Sequence, residues 1–178
     1  MANARLKIGI SACLAGMKTR YDGTDRFDEA LTSELGRAAD LIPVCPEVEC
    51  GLGVPREEMW LSGSRDEPRL VCRFSGTDQT SRMIEWAGRR IDEFIEGRLA
   101  GFVLKSRSPS CGLSVELHRT ADHHVFSTQE AGIGIQTLPG LFSAGLKTAM
   151  PDLPIVEETA FGNPDALRLF LRACARRR

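Results

Sequence analysis

The sequence predicts an α/β protein, a three-layer sandwich with a mostly parallel, Rossmann-like sheet and a small hairpin insertion. Three observations predict it. Apolar runs of strand length at residues 6–13, 41–45 and 101–105 alternate with amphipathic stretches at helical spacing, the order that yields a parallel sheet covered on both faces. A chain of 178 residues with 42% hydrophobic residues and a net charge of −1 is large enough for one core, so residues 1–178 read as a single domain. Each of the three runs also ends in, or leads directly to, a cysteine: Cys13, Cys45 and Cys111.

Taken in order, residues 6–13 form the first strand, and 14–23 a loop whose turns use Gly16 and Gly23. A helix over 28–39 takes Asp28 as its N-cap and places Leu31, Leu35 and Ala38 on one face. The second strand is 41–45. Residues 46–56 carry too much Gly and Pro for a regular element and read as irregular. Residues 59–61 and 70–74 form a hairpin around the polar turn 63–68. The clearest helix is 81–98, with Met83, Ile84, Ala87, Ile91, Phe94 and Ile95 on one stripe and Gly97 as its stop. The third strand, 101–105, leads into the loop from Ser106 to Gly112. Beyond it the pattern weakens: 115–118 alternates like an exposed strand, 121–134 reads as loop, 140–150 as a short helix and 153–158 as a further strand. Asn163-Pro164-Asp165 opens the last helix with a cap, a first-turn proline and an acid.

Composition narrows the function. The 23 basic and 24 acidic residues nearly cancel, so no polyanion-binding surface is expected and nucleic acid is not expected as a partner. The amino terminus lacks the apolar segment of a signal peptide, and no stretch approaches the ~18 apolar residues of a membrane span. A cytoplasmic protein with no membrane partner is the expectation. A second copy of the chain, a homodimer, is left open. Six cysteines in a chain with its own core read as ligands, nucleophiles or apolar fillers and not as a disulfide framework.

Cys13, Cys45 and Cys111 sit at strand ends among small neighbours, where a backbone can approach a thiolate-ligated group closely. They are either three unrelated buried thiols or one shared ligand sphere. No pair has the close knuckle spacing of structural zinc, whereas three thiolates with one open position suit an iron–sulfur cluster with a free iron. Glu47, two residues after Cys45, is either a proton-transfer group beside that site or a hydrated loop carboxylate. Ser108 and Ser110 would hydrogen-bond a substrate or close a turn, Lys105 would neutralise an anionic intermediate, and Arg20, Tyr21 and Arg56 are candidate substrate contacts. Cys50, spaced C-x4-C from Cys45, is a fourth candidate thiol; Cys72 and Cys174 read as core. His118, His123 and His124 invite a metal reading, but Asp122-His123-His124 reads as solvated; the terminal arginines could touch RNA and read instead as partners of a helix C-terminus.

Together, Ile10-Ser-Ala-Cys13-Leu-Ala-Gly16 with Arg20-Tyr21-Asp22-Gly23, Val44-Cys45-Pro46-Glu47-Val48 with Gly51-Leu52 and Pro55-Arg56, and Leu104-Lys105 with Ser108-Pro109-Ser110-Cys111-Gly112 resemble the thiouracil desulfidase family over about residues 6–160. The chain looks like its stand-alone form. The resemblance implies a 4Fe–4S cluster held by Cys13, Cys45 and Cys111 with one open iron site. It also implies Glu47 as catalytic acid/base and Ser108 as the substrate-orienting serine. The implied reaction is a non-redox desulfuration of a thiolated uracil (base, nucleoside or nucleotide) that replaces C=S by C=O and releases hydrogen sulfide. The alternatives are a cluster-dependent sulfur transferase acting on nucleotides and a non-catalytic iron–sulfur carrier or sensor. Glu49-Cys50 and Leu113-Ser114 depart from the family pattern. If Cys50 reached the open iron it would block desulfuration, and Leu113-Ser114 bears on substrate choice.

Overall fold

A computed structural model describes residues 5–121, 124–127 and 135–177. Four parallel strands form the central sheet: β1 (Leu6–Ser11), β2 (Ala39–Val44), β5 (Gly101–Leu104) and β9 (Ile155–Glu157). Their spatial order is β2-β1-β5-β9, with Leu6 opposite Ala39 and Ile8 opposite Gly101. β2 is an edge strand, and an edge tolerates Pro43, which has no N–H for the ladder. The chain leaves β1 toward β2 on one side and returns to β5 on the other. The sheet therefore has a topological switch point between β1 and β5, where open α/β sheets form a crevice beyond the strands' carboxyl ends.

Side-chain alternation along β1 and β5 assigns the two faces. Ile8, Ile10 and Val103 pack with Leu31 and Leu35 of α1 (Glu29–Ala38) and with Phe170 and Cys174 of α5 (Pro164–Ala175). Phe102 and Leu104 point the other way, onto α3 (Thr80–Glu96) and α4 (Leu141–Ala149). Phe102 stands edge-on to Phe94 and Phe142, with ring centroids 5.9 and 5.6 Å away. It occupies the space beside Gly9, where a Cβ would lie 2.4 Å from its ring. The three-layer arrangement is the predicted one. Asp28 and Asn163 cap as expected, accepting the amides of Leu31 and Asp165 at 2.9 Å.

The hairpin of β3 (Met59–Gly63) and β4 (Pro68–Cys72) belongs to a second, mixed sheet. β3 pairs in parallel with β6 (Val115–Ala121), which also takes β7 (His124–Ser127) and β8 (Thr137–Leu138) in antiparallel pairings. Residues 124–127, expected as loop, are thus strand; 122–123 and 128–134 lie outside the described residues. Strand 115–118 is half-buried and not exposed, because Val115 and Leu117 enclose a small core with Leu61.

Two further expectations are corrected. Pro46–Glu49 forms one helical turn, α2, where irregular chain was expected: Pro46 occupies a first-turn position that needs no N–H, and Cys45 caps it in extended conformation. On α3 the buried stripe is Met83, Trp86, Ala87, Ile91 and Phe94, while Ile84 and Ile95 face outward. The loop before β5 takes its left-handed conformation at Arg98 (φ 54°), with Gly97 ending the helix at φ −70°.

Candidate active site

The loops that follow β1, β2 and β5 surround one cavity of about 510 Å³ at the carboxyl edge of the parallel sheet. After β1, residues Ala12–Ala15 make a single 3-10 turn closed by Gly16 at φ 85°, which turns Cys13 inward. After β2, Cys45 is the cap of α2, and its thiol donates to the Thr19 carbonyl at 3.6 Å. After β5, the loop is built around Ser108, whose Oγ accepts the Cys111 amide at 3.2 Å and the Ser110 amide at 3.4 Å. Arg107 holds a left-handed φ of 57°, and the Gly112 amide closes on the Ser108 carbonyl at 2.8 Å.

The N-terminal turn of α4 anchors this loop. Amides of Gly140, Leu141, Phe142 and Ser143 donate to the carbonyls of Gly112, Pro109 and, for the last two, Ser110. The Ser143 hydroxyl adds a 2.8 Å bond to the Gly112 carbonyl. A helix N-terminus has donors to spare, and here the loop carbonyls satisfy them.

The three thiols feel one another. Burial pushes Cys13 up to about 11, with Cys45 adding to the rise and Lys105 and Arg20 opposing it. Cys45 is raised chiefly by burial. Cys111 is raised well above the ordinary thiol range by burial, then by Cys45, Glu47 and Cys13. Among the described residues, no three His, Cys, Asp or Glu side chains are close enough to share a single metal ion. A cluster makes a different demand, since each thiolate binds its own iron and the three sulfurs stand around a space instead of converging on one point. Three thiols on the wall of one cavity this size, with Ser11, Ala12 and Pro46 beside them, fit that demand.

Glu47 lies on α2 at the cavity wall with its side chain 12% exposed. Its Oε2 accepts two hydrogen bonds from Arg56, one of them from Nε at 2.8 Å, and its Oε1 accepts from the Ser110 hydroxyl at 2.8 Å. Lys105 Nζ pairs with Glu158, which also accepts the Ser106 amide at 2.7 Å and the Ser106 hydroxyl at 2.8 Å. Burial pushes the Glu158 carboxyl up, but these donors together outweigh it and hold the group below the usual carboxylate range.

Of the residues singled out from the sequence, Cys13, Cys45, Cys111, Glu47, Ser108, Lys105, Arg20, Tyr21 and Arg56 all border this cavity. Ser110 does not: it is fully buried behind Glu47. Arg56, expected to meet substrate, has its guanidinium turned onto Glu47 and the Gly53 carbonyl. The Cys50 thiol points to the Glu47 carbonyl at 3.3 Å and is not part of the cavity wall; burial pushes it up to about 11. Cys72 and Cys174 are core, the latter against Gly101. The His118 ring stands edge-on to Trp60 at 3.8 Å and is not on this cavity's wall; His123 lies outside the described residues. Sequence reasoning missed Glu158 and Arg107, both on the wall. Glu158 carried a usable signal, because a residue just past a parallel strand falls on the same sheet edge as the other loops.

Comparison with known proteins gives the same direction. The family model for 2-thiouracil desulfurase matches residues 8–158, a stretch that holds all three cavity thiols as well as Glu47 and Glu158. An uncharacterised Bacillus subtilis protein, YbbK, is 31% identical over 108 residues, covering 58% of this chain and 71% of that protein. The solved structure of a 4Fe–4S-dependent thiouracil desulfidase, TudS, superposes with a TM-score of 0.69 at 25% identity, over 94% of this chain and 99% of that one. With a family model that spans nearly all of the parallel sheet and the three cysteine-bearing loops around the cavity, the chain belongs to the 2-thiouracil desulfurase family.

Proposed function

We propose that this chain, working as a single cytoplasmic domain, removes sulfur from a thiolated uracil without net redox change. Water and C=S are converted to C=O and hydrogen sulfide. One observation carries the reading: thiols handed over by three separate strands border the same cavity as a tethered carboxylate. Cys13, Cys45 and Cys111 would hold a 4Fe–4S cluster. When bound, such a cluster supplies an open iron that acts as a Lewis acid with affinity for sulfur.

The protein's own groups handle the protons and the ring. Glu47, held by Arg56 and reaching the cavity, accepts a proton from the incoming water and returns one to the departing sulfur, the work of a general acid/base within hydrogen-bond reach. Ser108 uses both acceptor positions on backbone amides, so its one hydroxyl proton is available to a substrate oxygen. Lys105, fixed by Glu158 on the wall, places positive charge where the ring becomes anionic. Arg20 and Tyr21 line the same cavity, with the guanidinium carbon 5.5 Å from the phenol ring centre.

The test is anaerobic reconstitution with iron and sulfide, followed by addition of 2- and 4-thiouracil and their nucleosides and nucleotides. Loss of thiocarbonyl absorbance with matching sulfide release is expected for at least one of them. A full cluster with no turnover of any substrate ends the proposal. A Glu47→Ala variant that keeps both cluster and turnover removes Glu47 from it.

A further inference from the structure

Ser110 sits at the meeting point of three elements. Its carbonyl accepts the Phe142 and Ser143 amides at 3.0 and 3.2 Å, and its amide rests on Ser108 Oγ. Gly140 packs so closely that a Cβ there would lie 2.5 Å from the Ser110 carbonyl carbon. The side chain has no solvent exposure, and its hydroxyl spans 63 residues of sequence to reach Glu47 Oε1 at 2.8 Å. A hydroxyl has one proton to donate, and this one is given to Glu47. Ser110 therefore has no donor left for a substrate.

We infer that Ser110 is a positioning residue that fixes the orientation of the Glu47 carboxylate, and that α4, through Ser110, sets the aim of the catalytic acid/base. The inference rests on the desulfidase reading for the role of Glu47. Its physical basis is the bonding pattern. Both bonds from Arg56 fall on Oε2, so they anchor one oxygen and leave the carboxylate free to pivot about it. The terminal torsion of a glutamate is broad and roughly two-fold, so a donor on the other oxygen is needed to select one orientation. Ser110 is that donor, and the packed turn of α4 fixes the backbone from which its hydroxyl is presented. Misorientation of a proton-transfer group by a fraction of an ångström is costly because the reacting atoms must meet within hydrogen-bond distance.

The test is a double-mutant cycle with Glu47→Asp, whose shorter side chain withdraws from Ser110 and should retain partial turnover. In the cluster-loaded protein, Ser110→Ala is expected to lower kcat roughly 10- to 100-fold, the loss of one hydrogen bond to a charged group. KM, iron and sulfide content and the cluster's absorption spectrum should stay as in the parent. In the Glu47→Asp background the same change is expected to have almost no effect. Equal losses in both backgrounds, or a raised KM with kcat intact, would overturn the inference. A crystal structure of apo Ser110→Ala supplies the readout that needs no turnover: Glu47 should leave its single orientation. If Glu47 stays in place the inference fails, whatever the activity. Should the parent protein load its cluster and desulfurate nothing, the functional reading falls, and the orientation claim is still decided by that structure.

Discussion

Arg56 and Glu47 form a buried ion pair, with side chains 7% and 12% exposed, in which the guanidinium closes on a single carboxylate oxygen. Nine residues apart in sequence, they meet because the loop after α2 folds back until the Arg56 amide donates to the Tyr21 carbonyl at 2.9 Å. The pair sits at the cavity wall, where each side chain is the other's partner away from bulk water. Removing one partner of such a pair costs about 3–5 kcal/mol, because the other is left buried and uncompensated. Arg56→Ala should therefore destabilise the apo chain by roughly that amount in urea unfolding. The double variant Arg56→Met/Glu47→Leu should recover much of it. Equal stability of Arg56→Ala and the parent would show the pair to be solvated.

Glu158 makes acid stability testable. Its pKa is lower in the folded chain than the ordinary value of 4.5, so the unfolded chain takes up the proton first. The stabilisation is complete above 4.5 and is lost as pH falls through the lower folded value. Glu158→Gln should be less stable than the parent at pH 7, and the gap should close below pH 4.5. Urea unfolding at stepped pH reads this directly, and a gap that persists unchanged into strong acid would contradict the assignment.

Cys50 and the three cavity thiols should behave differently toward iron. Since the Cys50 thiol faces the Glu47 carbonyl away from the wall, Cys50→Ala is expected to retain the iron and sulfide content of the parent. Cys13→Ala, Cys45→Ala and Cys111→Ala are each expected to lose most of it. In the apo chain all three thiols are raised by burial, so loading must release one proton from each, and it should proceed more readily as pH rises. Metal analysis after anaerobic reconstitution, with proton release followed in weak buffer, checks both statements.

Gly140→Ala probes the anchor of the Cys111 loop. Its Cβ would fall 2.5 and 2.6 Å from the Ser110 carbonyl carbon and oxygen, and neither backbone atom can rotate away. A loss of about 2 kcal/mol is expected, within the range for overpacking, together with poorer iron retention as Cys111 shifts. Parent-like stability and iron content would show that α4 and this loop move freely.

The sequence by itself determined the strands of the parallel sheet, the principal helices and the chemistry available at their ends, but not the strands of the second sheet beyond residue 118. Period-two and helical spacing reflect burial on a sheet or helix face, and Pro, Gly, Asn and Asp act locally, so Asp28 and Asn163 could be assigned as caps without knowing the fold. Strand-end cysteines were legible for the same reason: parallel strands deliver their carboxyl ends to one edge. Which polar groups face one another at that edge was decided only by tertiary structure. Ser110 and Arg56 look like substrate contacts in a linear reading, yet the packing of α4 and the fold-back after α2 turn both onto Glu47. Glu158 reaches Lys105 only because β9 lies beside β5. A hydrogen bond across 63 residues leaves no periodic trace, since it depends on where two loops come to rest in space and not on the spacing within either.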